Sequence, residues 1–164
     1  MTRLEKLNGC TTQANMSVET PPLEELIKQW EKDSQIDSIE PGRELLKIPI
    51  IHSKYNKYLL MHNLASRRAS LEYDKIRKIK WMYYTGKLDS KQLDEFGWEP
   101  FQFTLKSDIQ IYIDGDDDLN KLKRKRAYHE EASKFCEYIM KELNNRTYQL
   151  REYMIHERFI AGAR

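Results

Sequence analysis

A stretch of about 40 residues with a single helix-breaking residue constrains the fold more than any other feature of the sequence. Between Glu44 and Tyr84 that residue is Pro49, near the start, and the next glycine is Gly86. Mostly apolar side chains recur at spacings of three and four, which predicts one amphipathic helix over residues 44–84, about 60 Å long. The apolar side chains form a continuous stripe along the helix, which we call its seam. Because one compact domain does not need so long a helix, we expect part of this seam to pack between subunits. The seam comprises Ile48, Ile51, Tyr55, Tyr58, Leu59, His62, Ala65, Ala69, Tyr73, Ile76, Ile79 and Tyr83.

A second seam predicts another long helix over residues 119–160, weakened near Asn144-Asn145. Arg146 falls on this seam, where a charged group needs a partner and where polar residues often fix the register of an oligomer. The rest of the chain offers too little core to cover both seams, so we expect residues 119–164 to form an oligomerisation helix. Its predicted contacts are Tyr128, Ala132, Phe135, Ile139, Leu143, Leu150 and Tyr153.

The N-terminal part of the chain is predicted to form a flexible tail and then a short helix. Residues 1–20 lack apolar periodicity and end at Pro21-Pro22. The helix is expected from Leu23 to about Ile36, with Thr20 as its N-cap and Leu23, Leu26, Ile27 and Trp30 on one face. Pro41-Gly42 would then close the connector to the long helix.

Residues 101–113 show a different period and predict a small β-hairpin. Phe101, Phe103 and Leu105 alternate with polar residues, as do Ile109, Ile111 and Ile113, on either side of a short polar turn. The expected fold is therefore mainly α, with long amphipathic helices and this hairpin. The expected regions are the tail at 1–20, a helical region with the hairpin at 21–118 and the oligomerisation helix at 119–164.

Charge is segregated along the chain, although the 164 residues carry a net charge of only +2. Residues 17–44 hold eight acidic against three basic side chains, and residues 92–118 hold eight against one. Residues 54–91 hold ten basic against three acidic side chains, and residues 121–164 hold eleven against six. A polyanion would therefore meet the basic blocks, whereas the acidic blocks would repel it or meet a basic protein.

Residues that would support catalysis or bind a metal are not arranged in a recognisable pattern. The sequence has no glycine-rich phosphate loop, nucleophile elbow or His-Glu-x-x-His motif, and Cys10 and Cys136 match no metal spacing, which favours two reduced thiols. The acidic run at residues 114–118 lacks the spacing of a calcium loop and suits the first turn of a helix. We expect no enzyme activity, no cofactor, no membrane span and no secretion signal.

A basic and aromatic run at residues 75–87 is the sequence feature that favours a specific function. On a helix, Arg77, Lys80, Tyr84 and Lys87 would share one stripe, opposite a buried stripe of Ile76, Ile79 and Tyr83. Cations that neutralise phosphates and rings that stack on bases are the two components of sequence-neutral single-strand binding. The composition leaves a solvated helix face with core aromatics equally open. Residues 123–126 form a second basic cluster.

Several short segments, taken in order, resemble the UvsY family of recombination mediators from T-even-type phages. They are residues 23–39, Ser53-Lys54-Tyr55, residues 78–87 with Tyr83-Tyr84-Thr85-Gly86, and Phe159-Ile160-Ala161-Gly162. The resemblance implies a closed homo-oligomeric ring, a hexamer or heptamer, in the cytoplasm of the infected host cell. It implies a protein that is not an enzyme, binds single-stranded DNA, helps to displace the phage single-stranded-DNA-binding protein and loads a RecA-like recombinase.

The resemblance also assigns residues. The charged positions of the family's DNA-contacting motif match Lys78 and Lys80, with lysine at position 80 where arginine is usual and Arg77 and Trp81 where leucine is usual. Because lysine lacks the planar fork of arginine, this departure affects the expected contact geometry. The predicted DNA-binding set is Lys78, Lys80, Arg77, Tyr84, Lys87, Trp81, Lys75, Arg67 and Arg68. A helical scaffold or coiled-coil assembly protein without a nucleic-acid role is the alternative.

Overall fold

The computed structural model describes residues 20–101 and 105–162, which hold five α-helices and no strand. In chain order these are α1 (Leu23–Asp33), α2 (Pro41–Tyr84), α3 (Ser90–Phe96), α4 (Ile109–Gly115) and α5 (Asp117–Ile160). The expectation of a mainly α fold with two long helices is therefore confirmed. The predicted tail lies outside the described residues, apart from Thr20. None of the described helices is both long enough and apolar enough to span a membrane.

The long helix α2 begins and ends at residues whose chemistry suits those positions. It begins at Pro41, three residues earlier than expected, and proline fits a first helical position because the amide hydrogen it lacks would have no partner there. It ends where Gly86 adopts a φ of +66°. The Gly86 amide then donates to the Tyr83 carbonyl at 3.0 Å and the Lys87 amide to the Met82 carbonyl at 2.8 Å. This pair of hydrogen bonds satisfies carbonyls of the last turn and ends the helix.

The described chain divides into two compact units. One spans Arg67–Arg126, and the other combines the described parts of residues 19–66 and 127–164. Helices α2 and α5 each contribute residues to both units.

The core of the second unit is formed by α1, α2 and α5. Leu26, Tyr55, Ala132, Cys136, Ile139 and Leu143 are fully buried, and Phe135 packs against them. The seam of α5 therefore packs within this core at four of its predicted oligomer positions, Ala132, Phe135, Ile139 and Leu143. An intersubunit contact through Ala132, Ile139 or Leu143 would require this core to open. Cys136 is a free thiol in the core, and burial raises its pKa to about 11.

Arg146 joins α5 to the end of α1. Its guanidinium is buried and donates to the backbone carbonyls of Asp33 at 2.9 Å and Ser34 at 3.0 Å, and it lies 5.4 Å from the centre of the Trp30 ring. Carbonyls at the C-terminal end of a helix lack partners within the helix and carry the negative end of its dipole. The expected partner of Arg146 is thus the end of α1 in the same chain.

The N-terminal end of α1 differs from the prediction. Pro22, not Thr20, precedes the first helical residue, and no side chain caps it. Instead the Leu23 amide donates to the hydroxyl of Tyr128 at 2.7 Å, so α5 supplies an acceptor that the sequence near α1 does not.

The predicted hairpin at residues 101–113 is wrong in its second strand, which is helix α4. Ile109 and Ile113 are four residues apart and lie on one helix face, where Ile113 is buried, while Ile111 is exposed on another. Alternating isoleucines satisfy a short helix as well as a strand, and strand preference depends on a sheet to pack in. Phe101 is not in a strand, and residues 102–104 of the first predicted strand lie outside the described residues.

Candidate nucleic-acid interface

Helix α2 carries a row of exposed cations in the unit Arg67–Arg126. We call this set the basic face; it consists of Arg67, Arg68, Lys75, Arg77 and Lys78. Asp74 and Glu72 lie among them, so the face is predominantly but not wholly positive. These five of the nine predicted DNA-binding residues are therefore exposed on α2. Arg67, Arg68, Lys75 and Lys78 lie within about 100° of rotation around the helix, whereas Arg77 lies about 100° from Lys78 on the side of Trp81.

Trp81 is exposed beside the basic face. Its side chain is 40% accessible, and together with Arg77 and Lys78 it lines a shallow depression of about 380 Å³. The ammonium group of Lys87 lies 4.2 Å from the centre of the Trp81 ring. A large aromatic ring open to solvent between cations combines stacking surface with positive charge.

Lys80 lies in a different environment from the basic face. It is only 8% exposed, and its Nζ lies 2.8 Å from Oδ2 of Asp116 and 2.9 Å from Oδ2 of Asp118. Residues two apart on a helix are separated by about 200° of rotation, so Lys78 and Lys80 face opposite sides of α2. The predicted stripe of Arg77, Lys80, Tyr84 and Lys87 is therefore not a uniformly exposed surface.

The contact between Lys80 and Asp116 shifts the pKa of both of these residues. Burial alone would lower the pKa of Lys80, but its hydrogen bonds to Asp116 and Asp118 outweigh that effect and raise the pKa above its ordinary value. Burial alone would raise the pKa of Asp116, but Lys80, the Leu119 amide and the Tyr84 hydroxyl together lower it. Both groups are held in their charged forms, as an ion pair requires.

Asp116 also begins helix α5. Its Oδ1 accepts the amides of Asp118 at 3.0 Å and Leu119 at 3.1 Å, which is the geometry of an N-cap. Its Oδ2 accepts the hydroxyl of Tyr84 at 2.9 Å as well as Lys80. The acidic run at residues 114–118 thus spans the end of α4 and the start of α5, with Asp117 and Asp118 in the first turn of α5. The sequence contains this signal, but it does not reveal that a lysine of α2 is the partner.

An aromatic cluster surrounds the end of α2 in the same unit. The ring of Tyr84 lies 5.1 Å from that of Phe101 and 5.7 Å from that of Tyr112, and the ring of Tyr83 lies 4.9 Å from that of Trp98. The predicted site includes Tyr84 but not Phe101 or Tyr112, because the sequence predicts that Phe101 and Tyr112 lie in the strands of the hairpin. Their aromatic character next to the basic run is the signal that could have included them.

The predicted oligomerisation residues divide by exposure. Ala132, Ile139, Leu143 and Leu150 are buried within the chain, Phe135 is half-buried, and Tyr128 and Tyr153 are partly exposed. Of the exposed apolar residues of α5, three share a helix face with spacings of seven and four residues. They are Tyr148 at 68%, Ile155 at 57% and Phe159 at 82% accessibility.

Comparison with known proteins places the chain in a class and then in a family. A family model described as recombination, repair and single-stranded-DNA-binding protein matches residues 29–163, which defines the class. The family is UvsY, and the chain belongs to it. No curated protein matches the chain.

Solved structures show the same fold. A crystal structure of the bacteriophage T4 recombination mediator protein UvsY, lattice type II, aligns with a TM-score of 0.72 and 22% identity, covering 86% of this chain and 98% of that one. The lattice type IV crystal structure of the same T4 protein gives 0.74 and 18% identity over 85% and 99% of the two chains. The helical architecture is thus shared at low sequence identity.

Proposed function

We propose that this protein is a recombination mediator without enzymatic activity. It binds single-stranded DNA, helps to displace a single-stranded-DNA-binding protein and loads a RecA-like recombinase onto the strand. Membership of the UvsY family supports the mediator role. The observation that carries the DNA-binding part is the exposed basic face of α2, with Arg77 and Lys78 beside the open ring of Trp81.

The basic face supplies the phosphate contacts in this proposal. Each cation that neutralises a phosphate releases a condensed counterion, so affinity falls as salt rises, with a slope of about 0.7 per contact on single strands. Arg77 and Lys78 are exposed and need not break an ion pair that the structure records in order to reach a phosphate. Trp81 adds stacking, which tolerates any base because every base has an aromatic face.

Lys80 has a positioning role in this proposal. Its ammonium would have to leave two carboxylates to reach a phosphate, and that would leave Asp116 buried without its cation. By holding the start of α5 against the end of α2, Lys80 stabilises the part of the unit in which Trp81 lies.

Assembly into a closed ring completes the proposed function. The exposed face formed by Tyr148, Ile155 and Phe159 supports a contact through the C-terminal part of α5, because apolar side chains grouped on one helix face gain by burial. A ring presents one basic face per subunit to the same strand, so weak individual contacts combine through high effective concentration.

The experiment is a salt titration of binding to a labelled oligothymidylate, followed by fluorescence anisotropy. The wild type and the double variant Arg77→Ala/Lys78→Ala are compared with a matched control, Lys28→Ala/Lys57→Ala, which removes two exposed lysines outside the basic face. Loss of two phosphate contacts flattens the slope of log affinity against log salt by about 1.4 per subunit on the strand.

The control variant should keep the wild-type slope, and all three proteins should have the same oligomer mass. An unchanged slope in Arg77→Ala/Lys78→Ala would move the DNA site elsewhere, with residues 123–126 next. A wild type that binds no oligonucleotide even at low salt would favour the alternative of a scaffold protein.

A further inference from the structure

A cavity of about 500 Å³ lies beside Trp81 in the unit Arg67–Arg126. Cavities of this size are typical of sites that enclose small ligands. Three aromatic rings, of Trp81, Tyr84 and Phe101, and two cations, Lys87 and Lys106, contribute to its lining, and none of the described residues that line it is acidic.

The rings that line the cavity are fixed by their own contacts. The hydroxyl of Tyr84 is bonded to Asp116, and the edge of its ring meets the ring of Phe101 at 80°. The hydroxyl of Thr85, also in the lining, donates to the Trp81 carbonyl at 2.8 Å and so is already satisfied. An incoming flat group would therefore meet preformed aromatic surface, which reduces the entropic cost of binding.

The turn after α2 forms part of the cavity wall. Gly86 lies in the lining, and its positive φ is one that other residues rarely adopt. This part of the wall is therefore backbone without a side chain.

We propose that this cavity binds one unstacked base of the single strand, with Lys87 and Lys106 contacting the flanking phosphates; this inference rests on the proposed function. A base is flat, apolar on its faces and joined to an anionic backbone, and these properties complement aromatic walls with cations. Lys87, now over Trp81, exchanges that ring for a phosphate when the base enters. A base paired in a duplex cannot enter, so the cavity contributes only to single-strand binding.

The test compares two oligonucleotides of equal length and charge, an oligothymidylate and its fully abasic counterpart. The wild type should prefer the oligothymidylate by between about 5-fold and about 140-fold per enclosed base. Trp81→Ala should lose most of this preference with an unchanged salt slope, and Trp81→Phe should recover part of it.

Two further variants separate the cavity from its surroundings. Ile109→Trp fills the cavity from the start of α4 while leaving Trp81 in place, and it should also remove the preference for the oligothymidylate. If this variant keeps the preference, bases stack only on the outer face of Trp81, and the inference is overturned. Arg77→Ala/Lys78→Ala should lower the salt slope and keep the preference.

Equal affinity of the wild type for both oligonucleotides, with a normal salt slope, would overturn the inference and the stacking role of Trp81, and would leave strand binding through the basic face standing. Absence of binding to either oligonucleotide would overturn both.

Discussion

Lys78 and Lys80 lie two residues apart and face opposite sides of α2, one towards solvent and the other into an ion-paired cluster. The difference follows from helix geometry together with the aspartates at the start of α5. In a buried cluster the charges depend on one another, because removing one leaves the others without compensation. At an exposed position removal costs little stability.

Lys80→Ala should destabilise the fold by about 3 kcal/mol, because it leaves the Asp116 carboxylate buried without its cation. Lys78→Ala, the matched exposed variant, should change the free energy of unfolding by less than about 0.5 kcal/mol. Urea denaturation followed by circular dichroism measures both. Equal stabilities of the two variants would contradict the positioning role of Lys80.

His62 and His129 form a second buried polar contact, in the other unit. Their Nδ1 atoms lie 3.0 Å apart, so one must donate and the other accept. Burial and the neighbouring His129 lower the pKa of His62 below its ordinary value. Two imidazolium ions could not both keep this contact.

We therefore expect the protein to lose stability as the pH falls below about 6.5, the pKa of histidine in an unfolded chain. Because the folded pKa of His62 is the lower one, the unfolded chain binds more protons there, and the free energy of unfolding rises with pH up to that value. Denaturation at pH 5 and pH 7.5 measures the difference. His62→Gln should reduce it, whereas the exposed control His156→Gln should not. A wild type equally stable at both pH values would refute this role.

At the scale of helices, α5 supplies both ends of α1 with partners. Tyr128 accepts the first amide of α1, and Arg146 donates to its last carbonyls. A helix of 11 residues is only marginally stable alone, so α1 depends on these contacts and on its buried face.

Arg146→Met keeps the volume of the side chain but removes both hydrogen bonds to the end of α1. We expect a loss of about 2 kcal/mol, which lowers Tm by roughly 6 °C in a chain of this size. Arg151→Met, at an exposed position five residues further along α5, is the control and should leave Tm unchanged. A scanning calorimeter gives both values; a shift of the same size in the two variants would show that the capping contact contributes nothing specific.

The long helices could be predicted from the sequence, because their apolar spacing is sustained and Gly86 marks the end of α2. The start of α2 at Pro41 was not predicted, since the sequence pattern places Pro41 in the connector. Helix α4 could not be predicted, because in so short a segment the spacing of Ile109, Ile111 and Ile113 fits both the period of a helix and that of a strand. The basic run predicted the exposed Arg77 and Lys78. It did not reveal that Lys80 is ion-paired, since the carboxylates of Asp116 and Asp118 come from a helix more than thirty residues away.

At the scale of the whole molecule, exposed apolar residues indicate surfaces that gain by association. Tyr148, Ile155 and Phe159 form one such face on α5, and Ile50, Leu60 and Leu64 are exposed on α2. The buried seam of α5 belongs to the core of one chain. Of the predicted seam only Tyr128 and Tyr153 are exposed, so a subunit contact through α5 would use mainly residues outside that seam.

Ile155→Glu/Phe159→Glu should dissociate the assembly and leave the helical content unchanged, because both positions are exposed in the chain. Ile139→Glu should instead unfold the second unit, since it buries an unpaired carboxylate in the core. Sedimentation velocity and circular dichroism together separate these outcomes. A double variant that sediments like the wild type would exclude this face as the subunit contact.

Because the Lys80 ammonium is enclosed, acylating reagents should distinguish Lys80 from its exposed neighbour Lys78. Neutral amines are the reactive form, and Lys80 keeps its proton because its pKa is raised and its Nζ is surrounded. Lys78 is open and should be acylated readily. Protection of Lys78 by an added oligonucleotide would then report occupancy of the strand site, while acylation of Lys80 would report each opening of α2 from the start of α5. One short peptide thus records binding and local unfolding separately.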